Sequence, residues 1–168
     1  MNTYDLAATI IKVMGARQQT LATCESITGG ALGAALTDVP GASTVFRGGI
    51  VAYARDVKSS LVGVSEYLID TEGVINEQTA LEMALGAQRL CDADYSIATT
   101  GVAGPTKQDG ADVGTVWLAV VGPSVGVSIR PRFTQLAQFE GDRSQIRAQT
   151  VHEMLAMLLR LLSPTGRE

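Results

Sequence analysis

Histidine is nearly missing from this chain: among 168 residues only His152 carries an imidazole. A hydroxyl nucleophile that needs a basic partner must therefore find it elsewhere, because His152 falls mid-helix near the C-terminus, where a packed or solvated side chain is the ordinary role. One histidine and two distant cysteines, Cys24 and Cys91, also lack the spacing of a zinc site, so no metal is expected. The cysteines read as reduced thiols of a cytosolic protein, Cys24 at the end of a buried strand and Cys91 at the end of a helix. Charge is scarce too. Asp, Glu, Lys and Arg make up 18% of the chain and the formal net charge is -4, which leaves no basic footprint for sequence-independent nucleic-acid binding. No basic segment precedes an apolar run at the N-terminus, and no apolar run reaches membrane-spanning length. The expectation is a cytoplasmic protein that engages neither nucleic acid nor membrane.

What the chain does have is apolar material in regular patterns. The hydrophobic fraction is 46% and the mean hydropathy +0.18, enough for one well-packed domain over residues 1–168 with its core at about 4–162. Low charge and high apolar content also fit a homodimer or larger homo-oligomer. Leu6, Ala7, Ile10, Ile11, Val13 and Met14 recur at helical spacing over residues 4–16. Residues 20–24 read as a short buried strand that runs into a polar, glycine-rich turn and an alanine-rich helix ending near Thr37. Phe46–Tyr53 reads as a strand, with helices from Asp56 and around Ser65–Thr71. Asn76 is placed to cap a longer helix reaching about Cys91. Tyr95–Thr100 and residues 114–121 are apolar strands. Val125–Phe133 pairs with the latter across Gly122-Pro-Ser124 as an antiparallel hairpin. Asp142 is placed to cap the last helix. The polar segment Thr106–Asp112 reads as a flexible surface loop. Strands alternating with helices predict a three-layer α/β/α fold around a mixed sheet.

Several familiar chemistries are excluded by motif. There is no G-x-G-x-x-G after the first strand and no G-x-x-x-x-G-K-[ST], so neither dinucleotide nor P-loop nucleotide binding is indicated. Gly41-Ala-Ser43 lacks the closing glycine of G-x-S-x-G, and no S-x-x-K occurs. Tyr53 and Lys58 lie five apart, one more than a tyrosine–lysine reductase pair. What remains is Gly41–Lys58, which offers a hydroxyl (Ser43), a phenol (Tyr53) and an amine (Lys58). Taken singly, each has a simpler reading: a turn hydroxyl, a half-buried strand residue and an exposed helix lysine. The turn Glu25–Gly30 is either a place for tight strand–helix packing or an anion site, since amides at a helix N-terminus favour negative charge.

The motifs taken in order change that balance. Glu25-Ser-Ile-Thr-Gly-Gly30, Leu36-Thr-Asp-Val-Pro-Gly41, Gly49-Ile-Val-Ala-Tyr53 through Lys58, Thr100-Gly-Val-Ala-Gly-Pro105, Gly114-Thr-Val-Trp117 and Gly141-Asp-Arg143 succeed one another over residues 20–160. In this the chain resembles the CinA C-terminal domain family, whose stand-alone members are nicotinamide-nucleotide amidohydrolases. It departs from the family's pattern at Ile27 (usually cysteine), at Ala42, at Arg55 (often asparagine) and in the loop after Pro105, which is usually glycine-rich and acidic.

The resemblance implies hydrolysis of nicotinamide mononucleotide to nicotinate mononucleotide and ammonia, without a metal or organic cofactor. By position it puts the nucleophile on Ser43, the proton-transfer lysine on Lys58 and its support on Tyr53. Ser26, Thr28, Gly29, Gly30, Thr100, Gly101 and Arg143 become the substrate-binding set, with the phosphate on the Ser26–Gly30 turn, Thr100 and Arg143. A lysine base requires a depressed pKa: from an ordinary ~10.4 to about 7–8 is roughly 3–5 kcal/mol of destabilisation of the ammonium. Burial or a neighbouring guanidinium from Arg47, Arg55 or Arg143 is the expected cause. The alternative reading is a non-catalytic pyridine-nucleotide-binding or assembly domain of the same family.

Overall fold

The computed structural model describes residues 1–123 and 131–163. Helix α1 (Thr3–Ala16) opens on a reciprocal cap, in which the Asn2 side chain accepts the Asp5 N–H while the Asp5 carboxylate accepts the Asn2 N–H. It buries Leu6, Ala7, Ile10, Ile11 and Met14, the stripe its sequence periodicity predicts. Strand β1 (Leu21–Glu25) is buried throughout. Then come α2 (Ala31–Thr37), a single 3-10 turn (Ala42–Thr44), β2 (Phe46–Val51), α3 (Arg55–Ser60) and α4 (Glu66–Glu72). Asn76 caps α5 (Glu77–Cys91) as expected, its Oδ1 accepting the Thr79 N–H at 2.8 Å. Strands β3 (Tyr95–Gly101), β4 (Thr115–Val121) and β5 (Arg132–Gln138) precede α6 (Arg143–Leu162), which Asp142 caps together with Gln145.

The strands form one mixed sheet in the order β2-β1-β3-β4-β5, parallel across β2, β1 and β3 and antiparallel from β3 to β5. Alternation along the strands sends side chains to two separate cores. Leu21, Ile97, Leu118 and Val120 meet α1, α2 and α6, whereas Ala22, Cys24, Ala98 and Ala119 face α5. The second face is built of small residues, so α5 lies close to the sheet. Gly86 of α5 also lies hard against Val62, since a Cβ there would run into the Val62 carbonyl. The α/β/α fold with a mixed sheet is thus the one the sequence predicts.

The last strand differs from expectation. Residues 124–130, most of the expected second hairpin strand, lie outside the described residues. The strand that does pair with β4 is Arg132–Gln138. It lies at the sheet edge with Phe133 and Leu136 half exposed and polar residues between them, so its apolar alternation is weak and easily missed.

Candidate active site

Because β1 and β2 run parallel, their carboxyl ends lie side by side, and the chain leaves each at the same edge of the sheet. Ser26 follows β1, Ala52 and Tyr53 follow β2, and one turn of α3 brings Lys58 back beneath them. Lys58 is 1% exposed, and its Nζ reaches three oxygens: the Ala52 carbonyl at 2.7 Å, the Tyr53 carbonyl at 3.0 Å and Ser26 Oγ at 2.9 Å. An ammonium donates to all three. A neutral amine has two N–H groups for the two carbonyls and one lone pair left for the serine hydroxyl, so the geometry accommodates both states. Burial pushes the Lys58 pKa down from 10.5 to about 8. The nearby Arg55 guanidinium adds to this, while Cys24 and Asp109 oppose it.

Ser43 is not part of this cluster, contrary to the sequence expectation. It sits in the 3-10 turn before β2, exposed, beside a separate depression with Pro40, Gly41 and Phe46. The six residues of β2 separate it from Lys58, a span of roughly 20 Å. A serine at one end of a strand cannot exchange a proton with a lysine at the other. Ser26, expected to bind substrate, is the hydroxyl that meets the amine.

The glycine-rich turn after Ser26 is also occupied differently. The Glu25 carboxylate, 1% exposed, accepts the N–H groups of Gly30 at 3.0 Å, Leu32 at 2.9 Å and Gly33 at 2.8 Å. The chain thus supplies its own anion to the N-terminus of α2, where a phosphate was expected. Gly29 and Gly30 have φ of 58° and 98°, a conformation that favours glycine, so their role is to turn the chain onto this carboxylate. Thr28 is fully buried, with its hydroxyl 2.8 Å from that of Thr99. Thr100 is likewise buried and donates to the Val74 carbonyl at 2.8 Å. Neither residue lines the cleft.

That cleft, about 260 Å³, opens directly over Ser26. Of the expected residues, Ser26, Tyr53, Gly101 and Arg143 line it. Arg143, the first residue of α6, donates to the Tyr53 hydroxyl at 2.8 Å and to the Gly104 carbonyl at 2.7 Å. The Tyr53 phenol therefore faces Arg143, and it is the Tyr53 backbone carbonyl that holds Lys58. Of the arginines proposed to depress Lys58, Arg55 does so, while Arg47 bonds the Cys91 carbonyl at the far end of α5.

Three neighbours that shape the site escape the sequence reading. Arg147, one helical turn beyond Arg143, donates to the carbonyls of Ile27 at 3.1 Å and Thr28 at 2.8 Å and so braces the turn after Ser26. Glu25 is the second, and its signal is an acid placed just before a Gly-Gly helix start. The third is Asp109. The loop expected to be a free surface segment is fastened by this residue, whose carboxylate takes two bonds from Arg55 and the Val74 N–H. Thr106, Lys107 and Gln108 of the same loop form the outer wall of the cleft.

A three-layer fold with an amine–serine pair buried under a polar cleft, at the carboxyl edge of its parallel strands, has the architecture of a small-molecule α/β site. The chain belongs to the CinA C-terminal domain family, whose profile matches residues 3–162. It is 44% identical over 158 residues to a CinA-like protein of Frankia casuarinae and 41% identical over 159 residues to a putative competence-damage inducible protein of Levilactobacillus brevis. Each alignment takes in 94% of this chain, which spans only 35% and 36% of the length of these curated relatives. Solved structures match over nearly their whole length. The competence damage-inducible protein A of Klebsiella pneumoniae superposes with a TM-score of 0.91 at 30% identity, covering 99% of this chain and 100% of that one. The competence/damage inducible protein CihA of Agrobacterium tumefaciens gives 0.90 at 33% identity and 97% coverage of both. Among the described residues no helix is long and apolar enough to cross a membrane.

Proposed function

We propose that the chain hydrolyses the carboxamide of a pyridine mononucleotide, releasing ammonia from nicotinamide mononucleotide, with Ser26 as nucleophile and Lys58 as its base. The observation that carries this reading is the 2.9 Å contact between Ser26 Oγ and a buried amine whose pKa is pushed down to about 8. At pH 7 about one such lysine in eleven is neutral, against about one in three thousand at the ordinary 10.5. The neutral amine takes the Ser26 proton as Oγ attacks the amide carbon, then returns it to the leaving nitrogen as the carbon–nitrogen bond breaks. Water then attacks the acyl-serine, Lys58 accepts its proton, and carboxylate and free serine result. Among the hydrogen bonds of the described residues the Ile27 N–H has no acceptor. It follows the nucleophile in the chain, and its residue lines the cleft, which supports a role as donor to the amide oxygen.

Arg143 supplies positive charge on the cleft wall for the nucleotide phosphate, in place of the α2 terminus that Glu25 already fills, while Lys107 on the same wall is ion-paired with Asp112. Assay of ammonia from nicotinamide mononucleotide tests the reading. Release by the wild type that disappears in Ser26→Ala supports it. Calorimetric binding without release points instead to a nucleotide-binding domain with no turnover.

A further inference from the structure

Arg55 of α3 and the loop after Pro105 are bonded to each other. Arg55 Nη1 lies 3.1 and 3.2 Å from the two Asp109 carboxylate oxygens, and Nη2 donates to the Ile69 carbonyl at 2.6 Å, near the end of α4. Asp109 Oδ2 also accepts the Val74 N–H at 2.8 Å. The carboxylate occupies a fitted socket: a Cβ added to Gly73, whose φ is 75°, would come within 2.5 to 2.6 Å of Asp109 side-chain atoms. Asp109 itself adopts φ 49°, a left-handed conformation that aspartate and asparagine tolerate better than most residues. The Asp109 side chain thus ties the loop to α3 and to the segment before α5, and Arg55 carries the tie on to α4. Immediately before Asp109 come Thr106, Lys107 and Gln108, which face the cleft.

We propose that Arg55 and Asp109 form a clasp that holds the Thr106–Gln108 wall of the cleft in place, making Asp109 a positioning residue for substrate binding and Arg55 its anchor. The catalytic consequence rests on the amidohydrolase reading; the clasp itself does not. Beyond holding the wall, the pair adds a smaller, opposed contribution at Lys58, whose ammonium is disfavoured first by burial. That amine faces Cys24 from β1, Ser26 from the following turn, Arg55 from its own helix and Asp109 from the loop. Arg55 works against its charged form and Asp109 in favour of it, so removing one partner leaves the other's effect unopposed.

The test compares full-length wild type, Arg55→Asn, Asp109→Asn and the double variant by two readouts. Amide hydrogen exchange followed by NMR at Val74, Gln108 and Ala111 reports the clasp whether or not the protein turns over substrate. Exchange at these sites speeds up in each single variant and no further in the double one. Unchanged exchange, or effects that simply add in the double variant, overturns the clasp. With nicotinamide mononucleotide, KM rises about tenfold with kcat nearly kept, the size expected for losing a charge-assisted bond. The acidic limb of the kcat/KM profile moves down in pH for Asp109→Asn and up for Arg55→Asn. Limbs that move together contradict the electrostatic role. A wild type without ammonia release refutes the proposed reaction and leaves the exchange result to decide the clasp.

Discussion

Lys58 is a buried amine held below its ordinary pKa, and that has a cost in stability that pH should reveal. The unfolded chain releases this proton near 10.5 and the folded chain near 8. Between those values the unfolded state binds more protons, so this group makes stability rise with pH. Below 8 both states are charged, and the folded protein carries the full penalty, about 3 kcal/mol for a separation of that size. From pH 7 to pH 9 the expected recovery is about 1.3 kcal/mol. Cys24 works the other way, because burial raises its thiol pKa to about 12 and it disfavours folding once the unfolded thiol ionises above 9. Subtracting a Lys58→Met variant, in which Cys24 remains, removes that contribution. Urea unfolding of both proteins at pH 7 and pH 9 is the assay. The wild type should gain about 1.3 kcal/mol relative to Lys58→Met over this interval. The variant's absolute stability is not the readout, since it also leaves the Ala52 and Tyr53 carbonyls without their donor. A difference that stays constant with pH would refute the claim that burial holds this amine in reach of neutrality.

Two further substitutions probe the surroundings. Glu25→Gln keeps an oxygen for two of the three amides but turns a donor toward the third, so unfolding experiments should show a loss of about 2 kcal/mol. Arg143→Ala removes the bonds to Tyr53 and Gly104 and the proposed phosphate contact, and KM for nicotinamide mononucleotide should rise about tenfold or more. An unchanged KM would take Arg143 out of the binding site.

Most of the helices and the inner strands were legible because burial leaves a periodic trace. The Leu6–Met14 stripe, the Asn76 and Asp142 caps and the apolar runs of β3 and β4 all carry their structure in local pattern. The edge strand β5 does not, because a half-exposed strand has little apolar alternation to show. Lys58, Tyr53 and Arg143, expected from the family resemblance, do assemble at one edge of the sheet. Ser43 lies apart from Lys58 for a topological reason. Closeness in sequence put it near Lys58, but an entire strand runs between them, whereas Ser26, thirty-two residues away, is adjacent through parallel pairing of β1 and β2. Sequence distance says nothing about which strand ends share an edge. Likewise the internal partners of Thr28, Thr100 and Gly30, which are the Thr99 hydroxyl, the Val74 carbonyl and the Glu25 carboxylate, leave no trace in local sequence.

In the proposed reaction Lys58 activates Ser26 and not Ser43. The most direct test of this assignment is ammonia release from nicotinamide mononucleotide by Ser26→Ala and Ser43→Ala, measured beside the wild type at pH 8. The expected outcome is release by the wild type, near-complete loss in Ser26→Ala and wild-type rates in Ser43→Ala. Full activity in Ser26→Ala, or loss confined to Ser43→Ala, would contradict it.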